Sequence, residues 1–286
     1  MRLSETAKAR WCVVLAATLS STSGFFVQSP WLGSIPENSL PIVLGFWRAF
    51  FAFLVFVPAV RRWHFHPGML LSGLCVFGMS LAFIASMRQT TAATTIWLQC
   101  FAPFWVFLFS LLFLREKWTF RRTFPLFLAM LGVGILLGFT LLASSASGVG
   151  LLWGILAGVL FAGVIGSLRW LRQYDSTLLV AWNVGIAMLC FLPLYLATGY
   201  FPTLPQFLLL AFFGIFQFAL PYRLIARGLQ KISAQEGALI TLLEPILTPF
   251  WVWLFWGIAE PWWTLVGGAF VLVALVLRTV VWGEEV

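Results

Sequence analysis

Charge is what this sequence is short of. Only 9% of its 286 residues are charged, with 9 Asp and Glu against 17 Lys and Arg. An ordinary soluble domain is about one quarter charged, so a water-exposed globular fold is excluded. Two histidines and four cysteines offer little to hold a metal. Cys12, Cys75, Cys100 and Cys190 stand singly in apolar stretches, which gives neither a zinc spacing nor a disulfide framework and makes them packing residues. His64 and His66 share one short basic loop without further ligands, so they are read as wet side chains at a membrane surface. The phosphate-binding pattern Gly-x-x-x-x-Gly-Lys-Ser/Thr does not occur, and the chain itself cannot hydrolyse ATP.

What is there is apolar: 62% of the residues, including 16 Trp and 30 Phe. Crossing the hydrocarbon layer takes about 20 such residues per helix. Ten segments qualify, at roughly 11–29, 40–60, 68–87, 92–114, 122–142, 148–168, 176–198, 205–225, 235–256 and 262–282. The connectors between them are short and leave no room for a nucleotide-binding module. The net charge of +8 is not massed on one segment, so it does not point to nucleic acid. Its distribution instead sets orientation. With the N-terminus in the cytoplasm, Arg2, Lys8, Arg10, Arg61, Arg62, Arg115, Lys117, Arg121, Arg122, Arg169, Arg172, Arg223, Arg227, Lys231 and Arg278 all fall on that side. Only Arg88 lies in an outer loop, and Arg48 lies within the second span. Residues 1–24 also have the outline of a signal peptide, but no clear Ala-x-Ala site follows the apolar core and the repeat described next needs this helix.

The two halves of the chain resemble each other. One offset aligns Thr91 with Ser233, Ala92 with Ala234, Pro103 with Pro245, Phe109 with Trp251 and Phe113 with Phe255. A slightly smaller one aligns Trp47 with Trp182, Arg48 with Asn183 and Pro58 with Pro193. Five spans in each half force the halves into opposite orientations, the inverted repeat of many secondary transporters. The expected fold is therefore an all-α integral membrane protein of ten transmembrane helices. Two inverted five-helix repeats, residues 1–145 and 146–286, enclose a central cavity.

Polar residues inside such spans are costly, and holding a polar solute is a common use for them. Thr91, Thr95 and Gln99 share one face of the fourth helix, leading to Pro103. Thr241, Glu244 and Thr248 surround Pro245 in the ninth, with Pro249 following. Each proline removes a backbone donor, so Pro103, Pro245 and Pro249 are expected as helix-break hinges. Bonding to neighbouring helices is the competing reading for the Thr and Gln side chains. Glu244 is the only acidic residue read as deep in a span; it is a candidate for carrying a coupled proton, or for fixing the Pro245 break. Arg48 and its repeat mate Asn183 can attract a substrate carboxylate or cap carbonyls. Ser20, Ser21, Thr22 and Ser23 make the first helix polar, as packing positions or, for Ser20 and Ser23, as cavity lining. Trp47, Trp97 and Trp182 are placed deeper than the interfacial belt, as packing or as walls of an amphipathic cavity. GILLG (Gly134 to Gly138) and GILAG (Gly154 to Gly158) are read as close helix contacts.

The chain resembles the drug/metabolite transporter superfamily, in its EamA-like branch of ten helices and two repeats. Three features carry the resemblance: the Trp47–Arg48 pair, the stretch ATTIWLQCFAPFWVFLFSLLFLRE ending at Glu116, and LLEPILTPFWVWLFWG with Glu244 and Pro245. GVGILLG supports it. The family pattern places a Glu thirteen residues after each proline. Glu116 fits, but the matching position after Pro245 is Ile258, with Glu260 two places on. The resemblance implies a basket of helices around a cavity open alternately to each side, carrying amino acids, other metabolites or drugs, often outward.

The expectation is thus a secondary transporter for a small polar or amphipathic metabolite, amino-acid-like or drug-like, working as an exporter by alternating access. Cavity residues are Gln99, Thr95, Trp97, Thr241, Glu244, Asn183 and Arg48. An enzyme would need a clustered acid/base set or metal ligands and is not expected. A non-transporting sensor or assembly subunit is the alternative. No cofactor, metal or nucleic-acid partner is expected, and monomer versus homodimer stays open. The expected location is a bacterial inner (plasma) membrane, with both termini cytoplasmic.

Overall fold

A computed structural model describes residues 4–22, 30–36, 38–90, 92–114, 119–143, 147–257 and 262–282. Every extended regular element among them is helical, as lipid requires: backbone groups without water must bond within their own segment. The helices are α1 Glu5–Ser20, α2 Leu40–Phe56, α3 Pro67–Gln89, α4 Ala92–Gln99, α5 Ala102–Phe109, α6 Phe120–Ala143 and α7 Gly148–Trp170. They continue with α8 Ser176–Thr198, α9 Leu204–Phe212, α10 Leu220–Gly228, α11 Ala234–Thr241, α12 Leu243–Trp256 and α13 Trp262–Val276. Short polar side chains start them: Ser4 accepts from the Ala7 N–H, Ser147 from Gly150, Asp175 from Thr177 and Leu178, and Ser233 from Glu236. Gly199 and Gly257, at φ 61° and 68°, end α8 and α12 in the left-handed conformation that glycine adopts freely.

Among the described residues, seven helical stretches are long and apolar enough to cross a membrane: Pro67–Gln89, Thr94–Leu112, Thr123–Ala143, Gly148–Trp170, Ser176–Thr198, Leu204–Gly228 and Ala234–Phe255. Leu40–Phe56 and Trp262–Val276 are apolar but shorter. α1 has charged first turns and ends at Ser20; Ser23, expected on the same helix, lies outside the described residues, as do Thr91, Glu116, Ile258 and Glu260.

Two passes are interrupted. The fourth breaks at Cys100–Phe101 between α4 and α5, and the ninth at Leu242 between α11 and α12. In each case a proline, Pro103 or Pro245, follows by two or three residues, where its missing N–H would have bonded back across the gap. Pro249 behaves differently. α12 runs through it without interruption. Three π-helical stretches occur among the described residues: Ser110–Leu114, which continues α5 in the same pass, Phe213–Ala219 between α9 and α10, and Leu277–Val281 after α13.

The main helix pairs are α3 with α7, α6 with α13, α2 with α8, α3 with α8 and α1 with α10. α3 and α7 run antiparallel. Gly68 lies against the Trp170 ring at one end, and Ser86 Oγ donates to the Gly150 carbonyl at 2.9 Å at the other. Arg169 reaches from the first of these ends to the Leu229 carbonyl at 2.8 Å, so α10 finishes there too. That end is called the basic end below, and the Ser86 end the far end.

GILLG does not make the helix contact expected of it. A Cβ on Gly134 or Gly138 would meet nothing within 4 Å. The face of α6 that meets α13 is offset by two residues: there Gly132 approaches the Gly267 carbonyl, and Leu136 covers Gly267. The GILAG glycines do pack closely, and Gly158 lies beneath the Leu98 carbonyl and Gln99 at the α4–α5 break.

Candidate functional site

Arg48 lies midway along α2 and is the centre on which several passes converge. Its guanidinium donates to Ser80 Oγ of α3 at 2.8 Å and lies 4.5 Å from the centroid of the Phe218 ring. Phe218 belongs to the π-helical stretch before α10, which comes close to α2 because residue 214 is glycine. A Cβ there would sit 2.8 Å from the Arg48 carbonyl oxygen. Arg48 and Glu244 of α12 act on each other electrostatically, as do Arg48 and Tyr222 of α10. Glu244 also acts on Cys100, at the α4–α5 break. Second, third, fourth, eighth and ninth passes thus face one charged locus. None of the hydrogen bonds or ion pairs among the described residues uses the Glu244 side chain, which is half-buried. Arg48 and Glu244 thus carry opposite charge inside the spanning segments, with no ion pair between them among the described residues.

The other residues singled out by sequence distribute around this locus unevenly. Gln99 is half-buried at the break, and none of the hydrogen bonds among the described residues uses its amide. Trp97 is buried in the main apolar core. Thr95 is fully buried, and its hydroxyl donates to Ser86 Oγ at 2.9 Å and lies 3.2 Å from Thr90 Oγ1. Thr241 donates to its own helix at the Ala238 carbonyl, 2.8 Å away, and Thr248 does the same to Glu244. Asn183 is 1% exposed, and its Nδ2 has no partner. Trp182 is not deep: its indole donates to the His64 carbonyl at 2.9 Å, and its ring meets Trp63 and Phe65 of the α2–α3 loop edge-on. Trp47, its mate in the repeat, lies in an aromatic cluster with Phe46, Phe51, Tyr195, Phe201 and Phe207.

Glu244 is not the only buried carboxylate. Glu236, in the first turn of α11, is 1% exposed. It accepts from Arg10 Nε of α1 at 2.6 Å and from Arg278, which follows α13, at 3.0 Å. The sequence hides this triad. Arg10 and Arg278 look like flanking charges that set topology, and Ser233-x-x-Glu236 reads as an ordinary helix cap. Ser80 and Phe218 carried no signal, being one serine and one of 30 phenylalanines. Gln217 could have been found as an amide inside an apolar span. It is buried, donates to the Ser20 carbonyl where α1 ends, and keeps an unpartnered Oε1.

A recess of about 220 Å³ opens between α5 and α6, lined by Phe101, Phe104, Phe107, Leu126, Phe127 and Met130. It is wholly apolar and separate from the Arg48 locus.

Comparison with known proteins places these features. Residues 148–280 match the EamA-like transporter family. An "uncharacterized transporter" of Archaeoglobus fulgidus is 26% identical over 280 residues, spanning 97% of this chain and 96% of its own. A solved crystal structure superposes with a TM-score of 0.78 at 14% identity, covering 96% of each chain; at that identity the likeness speaks for the fold.

Proposed function

We propose that this chain, which carries an EamA-like transporter family domain over residues 148–280, is a secondary carrier that moves a small polar or amphipathic metabolite by alternating access. The chain is a multi-pass membrane transporter with a small-molecule substrate and a lipid environment, and its family is one of transporters, not enzymes. The finer reading rests on one observation above the rest: two opposite charges inside spanning segments with no ion pair between them among the described residues, Arg48 midway along α2 and Glu244 in the first turn of α12, just past the Leu242 break. A charge at that depth costs about 2.5–3.5 kcal/mol even on lenient scales, and a transported solute is the use that offsets it.

Arg48 takes the anionic end of an amino-acid-like or drug-like substrate, and Glu244 its cationic or donor end. Glu244 also serves as the proton-coupling group. Gln99, Thr241, Asn183, Trp97 and Thr95 surround this site as cavity and supporting residues, and the helices bend at the Pro103 and Pro245 breaks. Export is the proposed direction.

Two inverted five-helix repeats, residues 1–145 and 146–286, are the proposed architecture, and the packing supports it. The contacts that α3 and α4 of the first half make with α7 of the second recur as those that α10 and α11 of the second make with α1 of the first. Trp47 of the second pass meets Phe201 and Phe207 around the seventh–eighth loop, while Trp182 of the seventh meets the second–third loop. Both termini are placed in the cytoplasm of a bacterial cell, on the basic end.

Uptake into proteoliposomes of a labelled panel of amino acids, organic acids and cationic drugs, with and without a pH gradient, tests the proposal. Saturable, Arg48-dependent uptake is expected for at least one member. Absence of uptake across the panel with folded protein would favour the sensor or assembly-subunit reading.

A further inference from the structure

The two ends of the bundle are closed by joints that occupy matching places in the two halves but differ in chemistry. At the far end, the start of the fourth pass is tied to the third and sixth. Thr95 Oγ1 donates to Ser86 Oγ at 2.9 Å, and Ser86 Oγ donates to the Gly150 carbonyl at 2.9 Å. Thr90 Oγ1, 3.2 Å from Thr95 Oγ1, adds to the same network. At the basic end, the start of the ninth pass is tied to the first and tenth. There Glu236 accepts from Arg10 at 2.6 Å and from Arg278 at 3.0 Å. Fourth corresponds to ninth and sixth to first under the sequence repeat, so the two joints share the start of the broken pass and that neighbour, while their third members, Ser86 of the third pass and Arg278 of the tenth, are not repeat mates. Thr94 stands where Glu236 does when the Pro103–Pro245 offset is applied.

We propose that these joints are the two gates of the carrier and that they are deliberately unequal: neutral hydroxyls hold the far gate, and a buried ion triad holds the basic gate. The inference rests on the alternating-access reading given above. Hydroxyl bonds between helices in a membrane are weak and exchange readily with other partners. Opening the basic gate instead separates a carboxylate from two guanidinium groups that hold it through charge-assisted hydrogen bonds, which are about twice as strong as neutral ones. The unloaded protein therefore opens at the far end and keeps the basic end shut. Glu236 is a positioning residue in this scheme, since it touches no substrate.

Accessibility of single engineered cysteines to a membrane-impermeant maleimide tests this in sealed vesicles of each orientation, on the full chain with its four native cysteines replaced. One reporter is placed beside α11 at the basic end and one beside α4 at the far end. Glu236→Gln should raise labelling at the basic-end reporter at least five-fold and leave the far-end reporter unchanged or lower. Thr95→Val with Ser86→Ala should raise far-end labelling by no more than about two-fold, because that gate already opens. Should Glu236→Gln not fold, Arg278→Gln is the milder variant, with the same expected direction. Unchanged labelling at the basic-end reporter in a folded variant overturns the proposal. Because labelling needs no substrate, the outcomes separate. Shifted labelling without any transport sinks the carrier reading alone, and transport with unshifted labelling sinks the gates alone.

Discussion

Replacing Arg48 by leucine should abolish transport while leaving the protein nearly as stable as before. The guanidinium donates to Ser80 Oγ at 2.8 Å and lies 4.5 Å from the Phe218 centroid. A hydrogen bond from a charged group contributes about 1.5–3 kcal/mol, and a desolvated cation–π contact about 2 kcal/mol. Against these stands the cost of a charge midway along a spanning helix, about 2.5–3.5 kcal/mol. The difference is a net loss of about 0–2.5 kcal/mol, or no more than roughly 5 °C for a chain of this size. Thermal unfolding in detergent, followed by the fluorescence of the 16 tryptophans, measures the first quantity. Initial uptake rate in proteoliposomes measures the second. Arg48→Lys keeps the charge but loses the planar face over Phe218, so it should retain a small fraction of the rate. A fall of more than about 10 °C with undiminished transport by the surviving folded protein would make Arg48 a structural strut and refute the reasoning.

Glu244→Gln should remove the dependence of transport on an imposed pH gradient and weaken binding of a substrate with a cationic end; a pH dependence identical to that of the parent would remove the proton role. Gln99→Leu and Thr241→Leu should each slow transport several-fold with little change in folded yield, and parental rates would reduce both to helix contacts. Gly158→Leu should fail to fold or lose more than about 3 kcal/mol, because a Cβ already falls 3.1 Å from the Leu98 carbonyl under the α4–α5 break. Normal thermal stability of that variant would show that the break does not need its close seat on α7.

Much of this is legible in the sequence, for identifiable reasons. A bilayer forces apolar runs into helices, so most of the expected spans coincide with helices among the described residues. Arg48 and Glu244 stand out because charge is rare at such depth. Pro103 and Pro245 mark the two breaks because a missing N–H acts locally, within one turn. What depends on three-dimensional pairing is less visible. Glu236 has the spacing of an ordinary helix cap after Ser233, and its partners Arg10 and Arg278 lie more than 40 residues away at the nearest, so nothing local marks it. Gly134 and Gly138 carry the spacing of a helix contact but lie on the wrong face of α6, since Gly132 and Leu136 take the α13 contact. Pro249 has the same chemistry as Pro245, yet α12 is continuous through it. Trp182 was placed in the membrane interior by counting along its helix, whereas the α2–α3 loop folds back to meet it.

Counterflow separates a carrier with one alternately exposed site from every rival. Proteoliposomes loaded with excess unlabelled substrate are diluted into a trace of the labelled compound. The account predicts a transient accumulation of label above its equilibrium level, absent in Arg48→Leu vesicles. Label that rises monotonically to equilibrium, or does not enter at all, would contradict it.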